Sequence, residues 1–179
     1  YLKSKTESDI KVKSLFIQDQ IDVSENIKLL IGGRFDSFDI TVGDMKGGSA
    51  ESRKDEEFSP RLGFIYKPQD NISLYMSYSE SFLPRSGEQF KSLSADDARL
   101  DPDVFESTEI GVKYDISPEL SFTASYFDSE AVLAQPDGTG EGVEIQGLQV
   151  DGFELQLKGQ VNEKLFMALG YSNMDGQTK

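Results

Sequence analysis

Residues 68–79 read Pro-Gln-Asp-Asn-Ile-Ser-Leu-Tyr-Met-Ser-Tyr-Ser, a turn followed by a run with a period of two. Ile72, Leu74, Met76 and Tyr78 form one set, and Ser73, Tyr75, Ser77 and Ser79 stand between them. Successive side chains of a strand point to opposite faces, so the run encodes a strand with one apolar side and one small or polar side.

The phrase repeats. Ser24-Glu25-Asn26, Ser117-Pro118-Glu119 and Asn162-Glu163-Lys164 are further turn-like segments, and they precede runs that begin at Ile27, Leu120 and Leu165. With Ile72 the starts lie 45, 48 and 45 residues apart, which marks a repeated hairpin unit. Ile27, Leu29 and Ile31 share one phase, as do Leu120, Phe122, Ala124 and Tyr126, and Leu165, Met167, Leu169 and Tyr171.

Segments ahead of the turns alternate too. Ile110, Val112, Tyr114 and Ile116 oppose Glu109, Gly111, Lys113 and Asp115, and Phe153, Leu155 and Leu157 oppose Gly152, Glu154, Gln156 and Lys158. Leu62, Phe64 and Tyr66 do the same, with Ile65 breaking the pattern. Residues 13–22 are ambiguous, because the phase that turns Leu15, Ile17 and Ile21 outward also turns Asp19 outward.

Short turns thus join strands on one side, and long polar connections are expected on the other, around residues 41–56, 84–103 and 131–146. Strands of about ten or more residues exceed the five or six usual in soluble sheets and match the roughly 9 to 11 that cross a bilayer at a tilt. The fold class is therefore expected to be all-β, an antiparallel up-and-down sheet of about eight strands, each long enough for a transmembrane barrel. A helix is weakly indicated only at residues 92–103, where Pro102 would end it.

Composition narrows the chemistry. The chain has 179 residues, a formal charge of −14, and no cysteine, histidine or tryptophan. Thiolate metal sites, disulfides and thiol nucleophiles are excluded, as are Ser-His-Asp hydrolysis and HExxH metalloprotease chemistry. No catalytic residue and no metal site is expected. With 32 acidic against 18 basic residues and no basic stripe, nucleic acid is an unsuitable partner. No apolar run reaches the roughly 18 residues of a transmembrane helix, but barrel strands give a far weaker hydropathy signal.

Specific strings carry a family resemblance. Residues 58–84, FSPRLGFIYKPQDNISLYMSYSESFLP, 106–128, ESTEIGVKYDISPELSFTASYFD, and 147–176, GLQVDGFELQLKGQVNEKLFMALGYSNMDG, together resemble the barrel half of the TonB-dependent siderophore receptors. Residues 14–39, SLFIQDQIDVSENIKLLIGGRFDSFD, resemble the hairpin before them. The resemblance implies a 22-stranded outer-membrane barrel with an N-terminal plug, importing ferric siderophores with energy from the TonB complex. No plug, TonB box or terminal aromatic strand is recognisable, so residues 1–179 are expected to lie wholly within the barrel domain. TonB would then engage a part outside the chain.

Charges with the polar-face parity, Arg34, Asp36, Arg61, Glu109, Lys113, Glu154 and Lys158, are expected to line the lumen and meet the plug; the alternative is the solvated face of a soluble sheet. Tyr66, Tyr78, Tyr114, Tyr126 and Tyr171 fall on the apolar face, as a membrane-interface girdle or as core. Phe82, Arg85, Phe90 and Arg99 mark the longest loop as a ligand-capture candidate, with arginine suited to anionic chelates and loop packing as the alternative for the rings. Asp44, Asp55, Glu56 and Glu57 lack the spacing of a calcium loop. Neither glycine-rich segment has the spacing of a phosphate loop. Asn71-Ile72-Ser73 is a sequon in a tight turn, without meaning in a bacterium.

The function expected is a receptor segment for ferric siderophores, with no intrinsic cofactor and the ferric siderophore as transported ligand. Alternatives are a receptor for haem, cobalamin or an oligosaccharide, a closed eight-stranded barrel, or a soluble all-β binding module. Studied alone, the chain is expected to self-associate through its open edges and apolar face.

Overall fold

A computed structural model describes residues 5–44, 48, 50–84, 102–136 and 143–178. They form one antiparallel sheet of eight strands: β1 (Thr6–Ser24), β2 (Ile27–Asp44), β3 (Ala50–Gln69), β4 (Ile72–Leu83), β5 (Asp103–Ser117), β6 (Leu120–Pro136), β7 (Val143–Asn162) and β8 (Leu165–Thr178). Neighbours in sequence are neighbours in the sheet, and β1 does not pair with β8. The sheet is open, so the closed eight-stranded alternative is set aside.

The expected hairpins are present, and the strands are longer than the sequence pattern indicated. The connections placed around residues 41–56 and 131–146 are mostly strand, because β2 runs to Asp44, β3 starts at Ala50, β6 runs to Pro136 and β7 starts at Val143. Polarity misled there. Asp39 lies opposite Lys54 in the register, and the hydroxyls of the register partners Thr41 and Ser52 lie 2.9 Å apart, so these hydrophilic residues form a cross-strand ladder. Only the connection over residues 84–102 is long, and the weak helical indication lies almost wholly outside the described residues.

Registers fix which residues share a face, because direct partners in an antiparallel pair point the same way. Leu29, Phe64 and Met76 are linked through successive pairs to Ile110, Tyr126 and Phe153, making one continuous outer face. All five tyrosines expected on that face are there. Asp19 partners Ile31, which resolves the ambiguity of β1 by turning Asp19 outward with Leu15, Ile17 and Ile21.

No core covers this face. Leu74 is 43% exposed and Met76 49%, where a sandwich would have hidden both. Among the described residues the only buried hydrophobic side chains are Ile40, Val42 and Ala131, all of the opposite, inner parity.

The loop-side border of the apolar belt is mostly aromatic, with Phe35, Phe58, Tyr78, Tyr126, Phe153 and Tyr171 as its last large side chains. Leu15, Phe35 and Phe58 are level in the register. Tyr78 partners Leu62, four residues nearer the turn end than Phe58. On β5 the border drops two further, from Thr108 opposite Tyr78 to Ile110. It drops another two from Asn173, the partner of Phe153, to Tyr171. A belt that is horizontal in a bilayer must slip in this way along tilted strands, because residues level in the register are then not level in the membrane.

Candidate functional site: the inner face of the wall

The seven charges predicted for the lumen share one face. Arg61 partners Gly32 and Ser79, Glu109 partners Ser77 and Phe127, and Glu154 partners Ser125 and Ser172, all in the phase of Arg34 and Asp36. Lys113 lies opposite Ser73 and Thr123, and Lys158 opposite Ser121 and Ala168. They stand on a low pavement of Gly63, Ser77, Ser79, Gly111, Ser107 and Ser125, which keeps long polar side chains accessible from the inner side. The charges are layered: Lys113 and Lys158 lie nearest the turns, Glu109 and Glu154 come next, and Arg61 and Arg34 lie toward the loops.

Three groups on this pavement are already engaged. The Arg34 Nε donates to Asp36 Oδ2 at 2.7 Å and its Nη2 to Ser14 Oγ at 2.9 Å, while Ser14 donates to Asp36. This closed triangle spans β1 and β2 and accounts for the burial of Asp36, which is 4% exposed. Tyr75 Oη donates to Glu109 Oε1 at 2.5 Å. Lys113 pairs with Asp115 at 3.2 Å. Arg61, Glu154 and Lys158 form no ion pair among the described residues and are exposed.

Tyr75 and Ser14 are joined to their carboxylates across strands, so only the register, and not the sequence alone, brings them together. The inner face is not uniformly polar. Near the loops Ile10, Phe38, Ile40 and Val42 pack there as an apolar cluster. The available signal was the alternation itself: Phe38, Ile40 and Val42 keep a period of two but take the phase opposite to Leu29, Ile31 and Phe35, and the register is unbroken between them.

The sheet splits above Arg61. Arg61↔Ser79 is the last pair between β3 and β4, although β3 continues to Ala50 on β2 and β4 continues to Leu83 on β5. Lys67 N donates to Asn26 O at 2.8 Å, so odd positions of β3 bond toward β2 and even positions toward β4. The next position to bond β4 is Pro60, which has no N–H. A cleft of about 510 Å³ opens at this split, lined by Phe16, Arg34, Phe38, Arg61, Ser81 and Phe82 among others. Of the loop candidates only Phe82 lies within the described residues, and it belongs to strand β4, paired with Val104, rather than to the loop; its ring meets Phe38 edge-on, with centroids 5.6 Å apart, and bridges the two leaves. Arg85, Phe90 and Arg99 lie outside the described residues.

The chain is 28% identical to the probable TonB-dependent siderophore receptor PiuA of Acinetobacter baumannii, over 96% of this chain and 24% of that protein. The crystal structure of the siderophore receptor PiuA from the same organism superposes with a TM-score of 0.84 at 25% identity, covering 96% of this chain and 26% of that one. The ferric-catecholate import receptor Fiu of Escherichia coli K12, in its closed form, has a TM-score of 0.85 at 18% identity over 97% and 29% of the two chains, and shows the same fold. The chain spans about a quarter of the length of most of the curated relatives it matches, PiuA among them. The TonB dependent receptor-like, beta-barrel family matches residues 3–179, and the chain belongs to that family of outer-membrane transport receptors.

Proposed function

We propose that the chain forms part of the wall of an outer-membrane receptor that imports ferric siderophores with energy from the TonB complex. The observation that carries this reading is the two-sided open sheet. A tilted apolar belt with an aromatic border faces lipid, and a layered set of charges faces the passage. In this reading Arg61, Glu154 and Lys158 present free charge to a plug, and the Arg34–Asp36–Ser14 triangle and the Tyr75–Glu109 pair hold their side chains in place beside it. Ion pairs that Arg61, Glu154 and Lys158 would make with a plug across this solvated face are weak, about 0–1 kcal/mol each, which suits a plug that must shift during transport.

Transport requires no covalent chemistry from the wall, so the protein is read as a receptor and not an enzyme. It needs no resident cofactor, and the ferric siderophore is cargo. TonB would be engaged by a part outside this chain. Deleting the gene that encodes the whole protein is expected to abolish growth on at least one ferric siderophore as sole iron source. Unchanged uptake of labelled iron across a broad panel of chelates would refute the reading.

A further inference from the structure

Just beyond the loop-side border of the belt, the outer face carries opposite charge on two parts of the sheet. Above Leu15 and Phe35, the first outer row holds Lys13, Ser37 and Glu56, and the second holds Lys11, Asp39 and Lys54. These side chains line a groove of about 380 Å³ whose lower edge is Leu15 and Phe35. On β5 to β7 the rows above the border hold Thr108, Asp128 and Asp151, then Glu106, Glu130 and Gln149. Lysines therefore gather at one stretch of the border of a chain whose formal charge is −14.

Two of the three lysines are available. Lys54 pairs with Glu56 at 2.5 Å, and Glu56 also accepts from Ser37 at 3.3 Å. Lys11 and Lys13 are exposed and form no ion pair among the described residues. Asp39 lines the same groove, so three lysines face two carboxylates, one of them already satisfied. Successive rows on strands tilted near 45° stand about 5 and 10 Å above the border, the first at the depth of the headgroup layer and the second just outside it.

We propose that this groove binds the phosphate of a lipid headgroup in the loop-side leaflet. The ammonium groups of Lys11 and Lys13 grip the phosphate, and the acyl chains lie on Leu15, Phe35 and Phe58. Charge complementarity selects the occupant, and the apolar floor directly below selects a lipid over a soluble anion. The inference rests on the belt meeting lipid and is independent of the cargo. It gives the β1–β3 part of the wall an anionic-lipid contact that the acidic rows of β5–β7 would repel.

The test is lipid retention by the full-length receptor, purified in neutral detergent, mixed with phosphatidic acid or with phosphatidylcholine of the same chains, and read by native mass spectrometry. Phosphatidic acid is expected to be retained preferentially, and Lys11→Gln/Lys13→Gln to reduce that retention at least about fivefold, the attraction of roughly one surface lysine. Lys11→Arg/Lys13→Arg should keep it, and Lys164→Gln, in a turn at the far end, should leave it unchanged. Circular dichroism confirms that each variant is folded. Equal retention of the two lipids, undiminished retention by the folded double Gln variant, or displacement of the lipid by inorganic phosphate alone would each overturn the proposal.

Discussion

Tyr75 lies across Gly111, and a Cβ built on that glycine would come within 2.6 Å of the ring. The same atom would stand 2.8 Å from the carbonyl oxygen of Ala124, so the backbone closes the other side. Only glycine lets the ring lie flat on the inner face and carry its hydroxyl to Glu109. Gly111→Ala is expected to expel the ring and destabilise the wall by about 1–3 kcal/mol. Tyr75→Phe, which loses only the hydrogen bond to a carboxylate, should cost about 1.5–3 kcal/mol. Urea unfolding of the two single variants and the double variant checks the linkage: the double should cost clearly less than the sum, and additive losses would separate the two residues.

Leu74 lies well inside the outer belt, and Ser77, three residues on, faces inward. Leu74→Arg should therefore destabilise the barrel in a bilayer by about 2–4 kcal/mol, whereas Ser77→Arg, on the accessible polar face, should stay within about 1 kcal/mol. Equal costs for the two substitutions in reversible folding into vesicles would show that the faces had been assigned wrongly.

The first of these relationships was hidden in the sequence and the second was not. Ile72 to Tyr78 could be read at once, because one side of that strand meets the same medium along its length and the alternation never changes phase. The upper half of β2 could not. Past Phe35 the outer side leaves the belt and takes Ser37, Asp39 and Thr41, the inner side becomes the packed one, and from Thr41 onward the polar residues read as loop. The Arg34–Asp36 pair follows from same-face spacing within one strand, but the Tyr75–Glu109 contact joins residues on different strands and depends on a register set by the turns.

The outer edges of β1 and β8 are unpaired in this sheet, and the outer face exposes Leu74, Phe58 and Leu169. An edge of bare N–H and C=O groups beside a wide apolar surface recruits further strands or further apolar surface. The 179-residue chain, refolded by itself, is expected to elute from size exclusion in oligomers that grow with concentration, or to need detergent. A monomer of constant elution volume in detergent-free buffer would contradict this.

Glu56 gives a pH signature above the belt. Its hydrogen bond from Lys54 is the largest influence on its carboxyl and holds it below the ordinary glutamate range, against the opposing effect of burial. A carboxyl depressed in the folded state contributes stability above its unfolded value, near about 4.3, and loses it as pH falls through the lower folded value. The carboxyl resonance of Glu56 should therefore titrate below the ordinary range in the native protein and return to it in Lys54→Gln. A titration unmoved by that substitution would show that Lys54 is not the cause.

Pro60 is the residue on which the split between β3 and β4 turns. Tyr78 and Leu62 face each other as a bonded pair, and one bonded step further the donor owed to Glu80 is missing. Substituting an ordinary residue restores that donor. Pro60→Val is thus expected to extend the ladder by at least one pair, to slow amide exchange over residues 80–83, and to narrow the cleft that holds Arg61 and Phe82. One added hydrogen bond is worth about 0.5–1.5 kcal/mol, so stability should rise by that order while the space beside Arg61 shrinks. Hydrogen–deuterium exchange of the variant decides the matter: if residues 80–83 exchange as fast as in the parent, the proline does not end the ladder, and the divergence of the two leaves has another cause.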